Sequence, residues 1–119
     1  MSELFFRFLS GEKGIYEVVE KDCPKEDPRR ENKPDGSWLP KVGENFPGAI
    51  SFWSRFGLKK YVESGLLDWH VSVVKEPVSV LITDRPENVL YEDEFQIICD
   101  PKVEIKERVT WVDFKRRFL

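Results

Sequence analysis

The sequence predicts a single α+β domain that spans residues 1–119 and contains a mostly antiparallel sheet of five or six strands with two or three helices. Short, alternating apolar runs cluster in the second half of the chain, which is typical of strands joined by turns. Runs with helical spacing are few and short. A length of 119 residues supplies one hydrophobic core. A small closed barrel with helices outside it is the alternative architecture.

Composition narrows the classes of function. The net charge of −3, with both signs mixed along the chain, argues against a dedicated nucleic-acid-binding protein. The apolar run at residues 4–9 is interrupted by Arg7, so we expect neither a signal peptide nor a membrane span, and we expect a cytoplasmic location. Cys23 and Cys99 are expected to be free thiols, and no spacing of metal ligands is present.

The first predicted strand, residues 4–9, is apolar on both faces and is therefore expected to be central in the sheet. This places Arg7 among hydrophobic neighbours. Its guanidinium either reaches water or a core carboxylate, or lies at the floor of a cleft and binds an anion. Ser10 is expected to cap a helix over residues 12–21. The buried face of that helix is predicted to consist of Ile15, Val18 and Val19.

Residues 22–47 are predicted to form a long proline-rich loop, because five of the eight prolines fall there. Connections of this length in compact domains are usually functional lids or mobile segments. Trp38 and Leu39 near the middle favour a loop that is partly docked on the domain, since this apolar pair gains by leaving water.

The segment GAISFWSRFGLKKYVESG, residues 48–65, predicts a strand that leads directly into a helix. Ser54 is expected to cap the helix, and Gly65 to end it with a positive φ angle. The predicted buried stripe is Leu58, Tyr61 and Val62.

His70 follows this unit and precedes residues 71–74, which are predicted to be a short strand or extended segment. As the only histidine, it is either a surface or capping imidazole or a ligand-binding group.

The remaining chain predicts further strands. Residues 78–83 alternate as a half-buried strand does, residues 89–91 form a short apolar segment, and residues 95–99 form another strand after an acidic cluster. Residues 103–105 and 109–112 are expected to add one or two more strands, and residues 114–119 a terminal helix or docked tail.

Three separated features resemble the ADP-ribosyltransferase family. They are an arginine on the first strand (Arg7), two serines that bracket aromatics (Ser51 and Ser54), and an acidic pair before a late strand (Glu92 and Glu94). The resemblance implies that NAD is a cofactor. It also implies that Arg7 contacts the phosphates or ribose, that the serine strand shapes the nicotinamide pocket, and that Glu94 stabilises an oxocarbenium-like transition state. Trp53 or Tyr61 would then be a stacking surface.

Three functional hypotheses follow. The first is a non-catalytic interaction or regulatory module whose protein partner binds the 22–47 loop and the exposed residues Trp38, Trp53 and Trp69. The second is the NAD-binding transferase, acting on an unknown target with Glu94 and Glu92 as catalytic residues. The third is a small hydrolase or lyase that uses His70 with Asp68 or an acidic-cluster residue.

Overall fold

An antiparallel sheet organises the part of the chain that the computed structural model describes, residues 3–119. Met1 and Ser2 of the predicted domain lie outside the described residues. The strands are β1 (Phe5–Ser10), β2 (Lys13–Gly14), β3 (Ile50–Trp53), β4 (Val78–Thr83), β5 (Val89–Glu92), β6 (Gln96–Cys99) and β7 (Glu107–Thr110). The helices are α1 (Ile15–Asp22), α2 (Arg55–Glu63), α3 (Leu66–Val73) and α4 (Trp111–Phe118). The predicted α+β class is confirmed.

The strand order is β5-β6-β3-β1-β4-β7, with the two-residue β2 paired to β1. β1 therefore lies in the middle of the sheet, as its apolar faces predicted. It pairs with β4 over its full length, but its ladder with β3 contains only the pair Phe6↔Trp53. The two strands thus leave a gap beside Arg7 and Ser51, which is where the main cavity lies.

The two faces of the sheet bury separate clusters. Phe6 and Phe8 of β1 pack with α2, α3 and α4 in the larger cluster, which includes Tyr61 and Phe114. Phe5 packs on the other face in a smaller cluster with Phe52, Ile97 and Cys99. Burial of these large side chains is the main favourable term for folding.

Helix α2 begins and ends as its sequence predicted. The hydroxyl oxygen of Ser54 accepts a hydrogen bond from the Gly57 N–H at 3.0 Å, which satisfies one free amide of the first turn. Gly65 takes a φ angle of 82° and separates α2 from α3, because a positive φ angle is easily adopted only by glycine.

The predicted cap at Ser10 is wrong. Ser10 belongs to β1, where it pairs with Val78 of β4, and its hydroxyl donates to the Glu76 carbonyl at 3.1 Å. Pairing with β4 gives hydrogen-bond partners to backbone groups that would lack them at the start of a helix. The strand therefore continues through Ser10, and α1 begins only after Gly14. No side chain caps the first turn of α1. Its predicted buried face of Ile15, Val18 and Val19 is confirmed.

The extended segment predicted at residues 71–74 is also wrong, since α3 continues to Val73. Burial of Leu66, Leu67, Trp69 and His70 outweighs the strand preference of the valines. Residues 103–105 form no strand, and β7 pairs with β4 rather than with them. Trp111 begins α4, which confirms the terminal helix.

The predicted loop, residues 22–47, contains short 3₁₀ helices at Pro28–Asn32 and Gly43–Asn45 and is docked on the domain. The Trp38 ring contacts the rings of Trp53 and Phe95, with centroids 5.9 and 5.3 Å apart. The Trp69 indole N–H donates to the Arg29 carbonyl at 3.2 Å. Partial docking is therefore confirmed.

The expected exposure of the tryptophans is wrong for two of them. Trp53 is 7% exposed and Trp69 is 8% exposed, while Trp38 is partly buried. They are covered because the loop and the helices pack over them.

Cys23 and Cys99 are buried free thiols, as predicted. Among residues 3–119, every helix is too short or too polar to cross a membrane.

Candidate functional site

A cavity with a volume of about 890 Å³ lies where β1 and β3 separate. Its walls come from β1, β3, α1, Gln96 of β6, two residues of α3 (Leu66 and His70) and much of the 22–47 loop. Small-molecule sites in proteins usually have volumes of roughly 300–1,000 Å³. The cavity is therefore large enough for a metabolite-sized ligand.

Arg7 lies in this cavity without a carboxylate partner. Its Nη1 donates to the Ser51 carbonyl at 3.2 Å, and no ion pair to Arg7 within 4.0 Å is found in residues 3–119. Burial lowers the pKa of Arg7, although arginine stays protonated in proteins, and the nearby Glu17 opposes the shift. A guanidinium has five N–H donors, so most of its donors are free to bind an anion.

The start of α1 lies directly beside this guanidinium. A Cβ atom at Gly14 would lie 2.8 Å from Arg7 Nη2, so glycine is the residue that allows the close approach. The first-turn amides of α1 receive no side-chain cap, and Gly14, Ile15 and Tyr16 line the cavity. The positive end of the helix dipole adds to the charge of Arg7.

Charged residues of the cavity wall carry a positive excess. Five basic residues line the cavity, namely Arg7, Lys25, Arg30, Lys33 and Lys41. Three acidic residues line it, namely Glu17, Glu20 and Asp35. Glu20 lies 3.4 Å from Arg30, which also donates two hydrogen bonds to the Cys23 carbonyl. The potential inside the cavity therefore favours an anionic ligand.

Aromatic rings form the remaining wall. Tyr16 and Trp53 line the cavity, and their ring centroids are 6.4 Å apart. Tyr61 lies behind Trp53, stacked on it at 4.4 Å, and is 0% exposed. The predicted stacking position at Trp53 therefore lies in the cavity wall, whereas the Tyr61 ring is not a surface that a ligand reaches.

His70 is buried in the same wall rather than exposed. It is 1% exposed, and its Nδ1 lies 2.5 Å from the Tyr61 hydroxyl. Burial lowers the pKa of His70 to about 3, with Lys33 and Arg30 adding to the effect. Burial also raises the pKa of Tyr61 well above its usual value. The expectation of a surface imidazole is thus wrong, and the ring is neutral near pH 7.

The predicted carboxylates lie elsewhere. Glu92 is exposed and forms an ion pair with Arg85. Glu94 is also exposed, and its backbone carbonyl accepts a hydrogen bond from the Ser54 hydroxyl at 2.7 Å. Neither residue lines the cavity that contains Arg7, Ser51, Trp53 and His70. The structure therefore brings Arg7 and Ser51 together in one cavity, but Ser54 caps α2 instead and the acidic element lies outside that cavity.

A second cavity of about 430 Å³ is formed by the turns at residues 83–88 and 99–106. Two of its three basic residues are paired, since Arg85 pairs with Glu92 and Lys106 lies 3.5 Å from Asp84, and the third, Lys102, is exposed to solvent. The larger cavity is the better candidate because its central cation is not paired with a carboxylate.

Several residues of the larger cavity carried no functional signal in the sequence. Gly14 and Tyr16 approach Arg7 and His70 only because α1 folds back against β1 and α3. Gln96 is 7% exposed and donates to the Pro40 carbonyl of the loop at 3.3 Å. The sequence did indicate Arg7, Ser51, Trp53 and His70 as possible ligand-binding residues, and all four line the cavity.

Comparison of the chain with protein-family models, curated proteins and solved structures found no match. Within residues 3–119, no group of three His, Cys, Asp or Glu side chains is placed to hold a metal ion. The candidate function therefore depends on the geometry of this cavity.

Proposed function

We propose that this protein is a non-catalytic, regulatory binding module that holds a small organic anion in the cavity beneath the 22–47 loop. The observation that carries the proposal is Arg7, a guanidinium on the central strand whose hydrogen bond to the Ser51 carbonyl leaves most of its donors free. The carboxylate or phosphate of the ligand would bind Arg7 and the first-turn amides of α1. A planar part of the ligand would lie against Tyr16 and Trp53.

The physical reason for this proposal is the cost of burying an unpaired charge. A partly buried cation is normally paired with a carboxylate, because desolvation of an isolated charge is unfavourable. The Arg7 guanidinium instead has only a neutral partner, the Ser51 carbonyl. A bound anion would supply the missing partner.

Calorimetric titration with benzoate and with adenosine monophosphate tests the proposal. Arg7→Met should weaken binding by roughly 10- to 100-fold, because a hydrogen bond to a charged group contributes about 1.5–3 kcal/mol. Arg116→Met is the matched control, since Arg116 is exposed on α4 and lies outside the cavity wall. Absence of binding to the wild-type protein, or equal binding by Arg7→Met, would contradict the proposal.

A second candidate is an NAD-binding protein related to the ADP-ribosyltransferases. It is supported by the presence of Arg7, Ser51 and Trp53 in one cavity of sufficient volume. Titration with NAD and ADP-ribose, followed by amide NMR, should perturb Arg7 and Ser51 together. If NAD is consumed, Glu94→Gln tests whether the exposed Glu94 takes part from outside this cavity. Abolished turnover with the fold intact would support its catalytic role, and unchanged turnover would remove Glu94 from the mechanism.

The proposed regulatory role includes a protein partner that contacts the 22–47 loop in a reducing, cytoplasmic location, where free thiols such as Cys23 persist. Of the three tryptophans predicted to contact a partner, Trp53 and Trp69 are buried. Trp38 is only partly buried and belongs to the loop, so it is the one that a partner could contact. Loss of a purified partner's binding in Trp38→Ala, with binding retained in Arg116→Met, would support this contact.

A further inference from the structure

We infer that His70 selects among the anions that enter the cavity by donating one fixed hydrogen bond, from Nε2–H, to a neutral acceptor on the ligand. This inference rests on the proposed function of the cavity. The ligand class it names is a planar organic anion that carries, away from its acidic group, a carbonyl oxygen or a ring nitrogen. Arg7 would bind the charge, and His70 would recognise the second group.

The first step is the tautomer of His70. The Tyr61 hydroxyl lies 2.5 Å from Nδ1, and within residues 3–119 it has no other hydrogen-bond partner. If Nδ1 carried the proton, the phenol proton of Tyr61, which is 0% exposed, would have no acceptor. The arrangement that satisfies both groups has the phenol donating to Nδ1, and the neutral ring then carries its proton on Nε2.

The second step is the direction of Nε2. His70 lines the cavity, whereas Tyr61, which occupies the Nδ1 side of the ring, does not. Nε2 forms no hydrogen bond with any group in residues 3–119. Within those residues Ser79 Oγ is the one unpartnered side-chain atom that is sealed from solvent, so Nε2 retains some accessible surface. Because Tyr61 covers the Nδ1 side of the ring, the accessible Nε2 best accounts for the place of His70 in the cavity wall. The free nitrogen therefore faces the space that a ligand would occupy.

The third step is rigidity. The His70 ring is enclosed by Tyr16, whose centroid is 4.6 Å away in an edge-to-face arrangement, and by Tyr61 and Trp69. Because the ring is 1% exposed and its Nδ1 is already bonded, it cannot turn to offer an acceptor in place of a donor. A fixed donor discriminates between ligands because a ligand without an acceptor leaves it unpaired.

The test compares benzoate with two pyridine carboxylates, nicotinate and isonicotinate, which have the same shape and charge and an added ring nitrogen. Both pyridine acids and benzoate should lose binding in Arg7→Met. At least one pyridine acid should bind the wild-type protein about 10-fold more tightly than benzoate, from the usual effect of leaving a buried donor unpaired. In His70→Phe the ratio of the two affinities, pyridine acid over benzoate, should fall to about 1 whatever the absolute affinity for benzoate.

Nitrogen-15 NMR gives the direct readout, since His70 is the only histidine. The free protein should show the neutral Nε2–H tautomer, and the preferred pyridine acid should shift the Nε2 resonance while benzoate leaves it unchanged. Tyr61→Phe keeps both rings and should mix the tautomers and reduce the preference.

The outcomes separate the two proposals. The role of His70 would be overturned if binding required Arg7 but showed no preference for either pyridine acid. It would also be overturned if the free protein had the Nδ1–H tautomer. In both cases the proposed anion site at Arg7 would remain supported. No binding of any of the three acids at millimolar concentration would overturn both.

Discussion

Helices α1 and α2 both begin immediately after a strand, but only the first turn of α2 has a side-chain cap. At α2, Ser54 supplies the cap and Gly57 packs against the Phe95 carbonyl. At α1, no side chain caps the amides, and Arg7 and a cavity lie beside Gly14. The start of α2 is thus closed by a side-chain cap and close packing, whereas the amides at the start of α1 have no side-chain partner and lie beside the cavity.

The largest expected effect is at the packed start of α2. A Cβ atom at Gly57 would lie 1.9 Å from the Phe95 carbonyl oxygen. Because that neighbour is backbone, Gly57→Ala should force the helix away from the β5–β6 turn and lower the free energy of unfolding by about 3 kcal/mol or more. Urea denaturation measures the change. Gly43→Ala is the control, since no atom lies within 4 Å of its added Cβ; equal stability of the two variants would contradict the packing argument.

The next effect is a pH dependence that arises on the cavity side. The pKa of His70 is lowered to about 3 in the folded protein, against roughly 6.5 in the unfolded chain. Folding therefore favours the neutral imidazole. Its contribution to the free energy of unfolding is complete above the unfolded pKa of roughly 6.5 and is lost as the pH falls towards the folded pKa of about 3. The free energy of unfolding should fall by about 1 kcal/mol per pH unit below pH 6.

Urea denaturation at several pH values measures this dependence. His70→Gln retains an acceptor for the Tyr61 hydroxyl and does not titrate, so its stability should change less between about pH 6.5 and 5, where carboxylates contribute little. Parallel curves for the two proteins would show that His70 does not cause the effect.

A smaller effect is expected at the cap of α2. Ser54→Ala removes the acceptor for the Gly57 N–H and the donor to the Glu94 carbonyl, so stability should fall by about 1 kcal/mol. Ser54→Thr keeps both groups and should restore most of it. If thermal unfolding shows the same loss in both variants, the hydroxyl is not responsible.

The smallest effect on stability is expected at the open start of α1. The added Cβ of Gly14→Ala would meet Arg7 Nη2, the far end of a flexible side chain. The guanidinium can move, so the free energy of unfolding should change by about 0.5 kcal/mol or less. Benzoate affinity should fall several-fold because Arg7 is displaced, and calorimetry at fixed salt measures this. Unchanged affinity would separate Gly14 from the anion site.

The same comparison shows what the sequence can and cannot reveal. The α2 start was predictable because Ser54, the apolar stripe and Gly65 are local signals that agree with one another. Ser10 offered a similar signal before α1, but pairing of β1 with β4 continued the strand through it. The valines before residue 75 suggested extended chain, yet burial of α3 made the segment helical.

The candidate site was only partly predictable. An arginine on an apolar strand is visible in the sequence, and this position of Arg7 predicts an anion-binding group as one of two alternatives. The bond between Tyr61 and His70 joins residues on two helices, so it depends on how α2 packs on α3. The close approach of Gly14 to Arg7 likewise exists only in the folded chain.

The docked loop has a consequence for the rate at which a ligand enters the cavity. Residues 22–32 are fixed by the Arg30 bonds to the Cys23 carbonyl and by the Trp69 bond to the Arg29 carbonyl. Residues 33–47 are held by the Trp38 ring, by Leu39 packed against the core, by the Phe46 ring 6.0 Å from the Tyr91 ring, and by one bond from Gln96 to the Pro40 carbonyl. Residues 39–43 of this half line the cavity, so opening of this half would widen the entrance for the proposed ligand. Weakening that half at Trp38 should accelerate association and dissociation together and leave the equilibrium affinity set by Arg7 nearly unchanged.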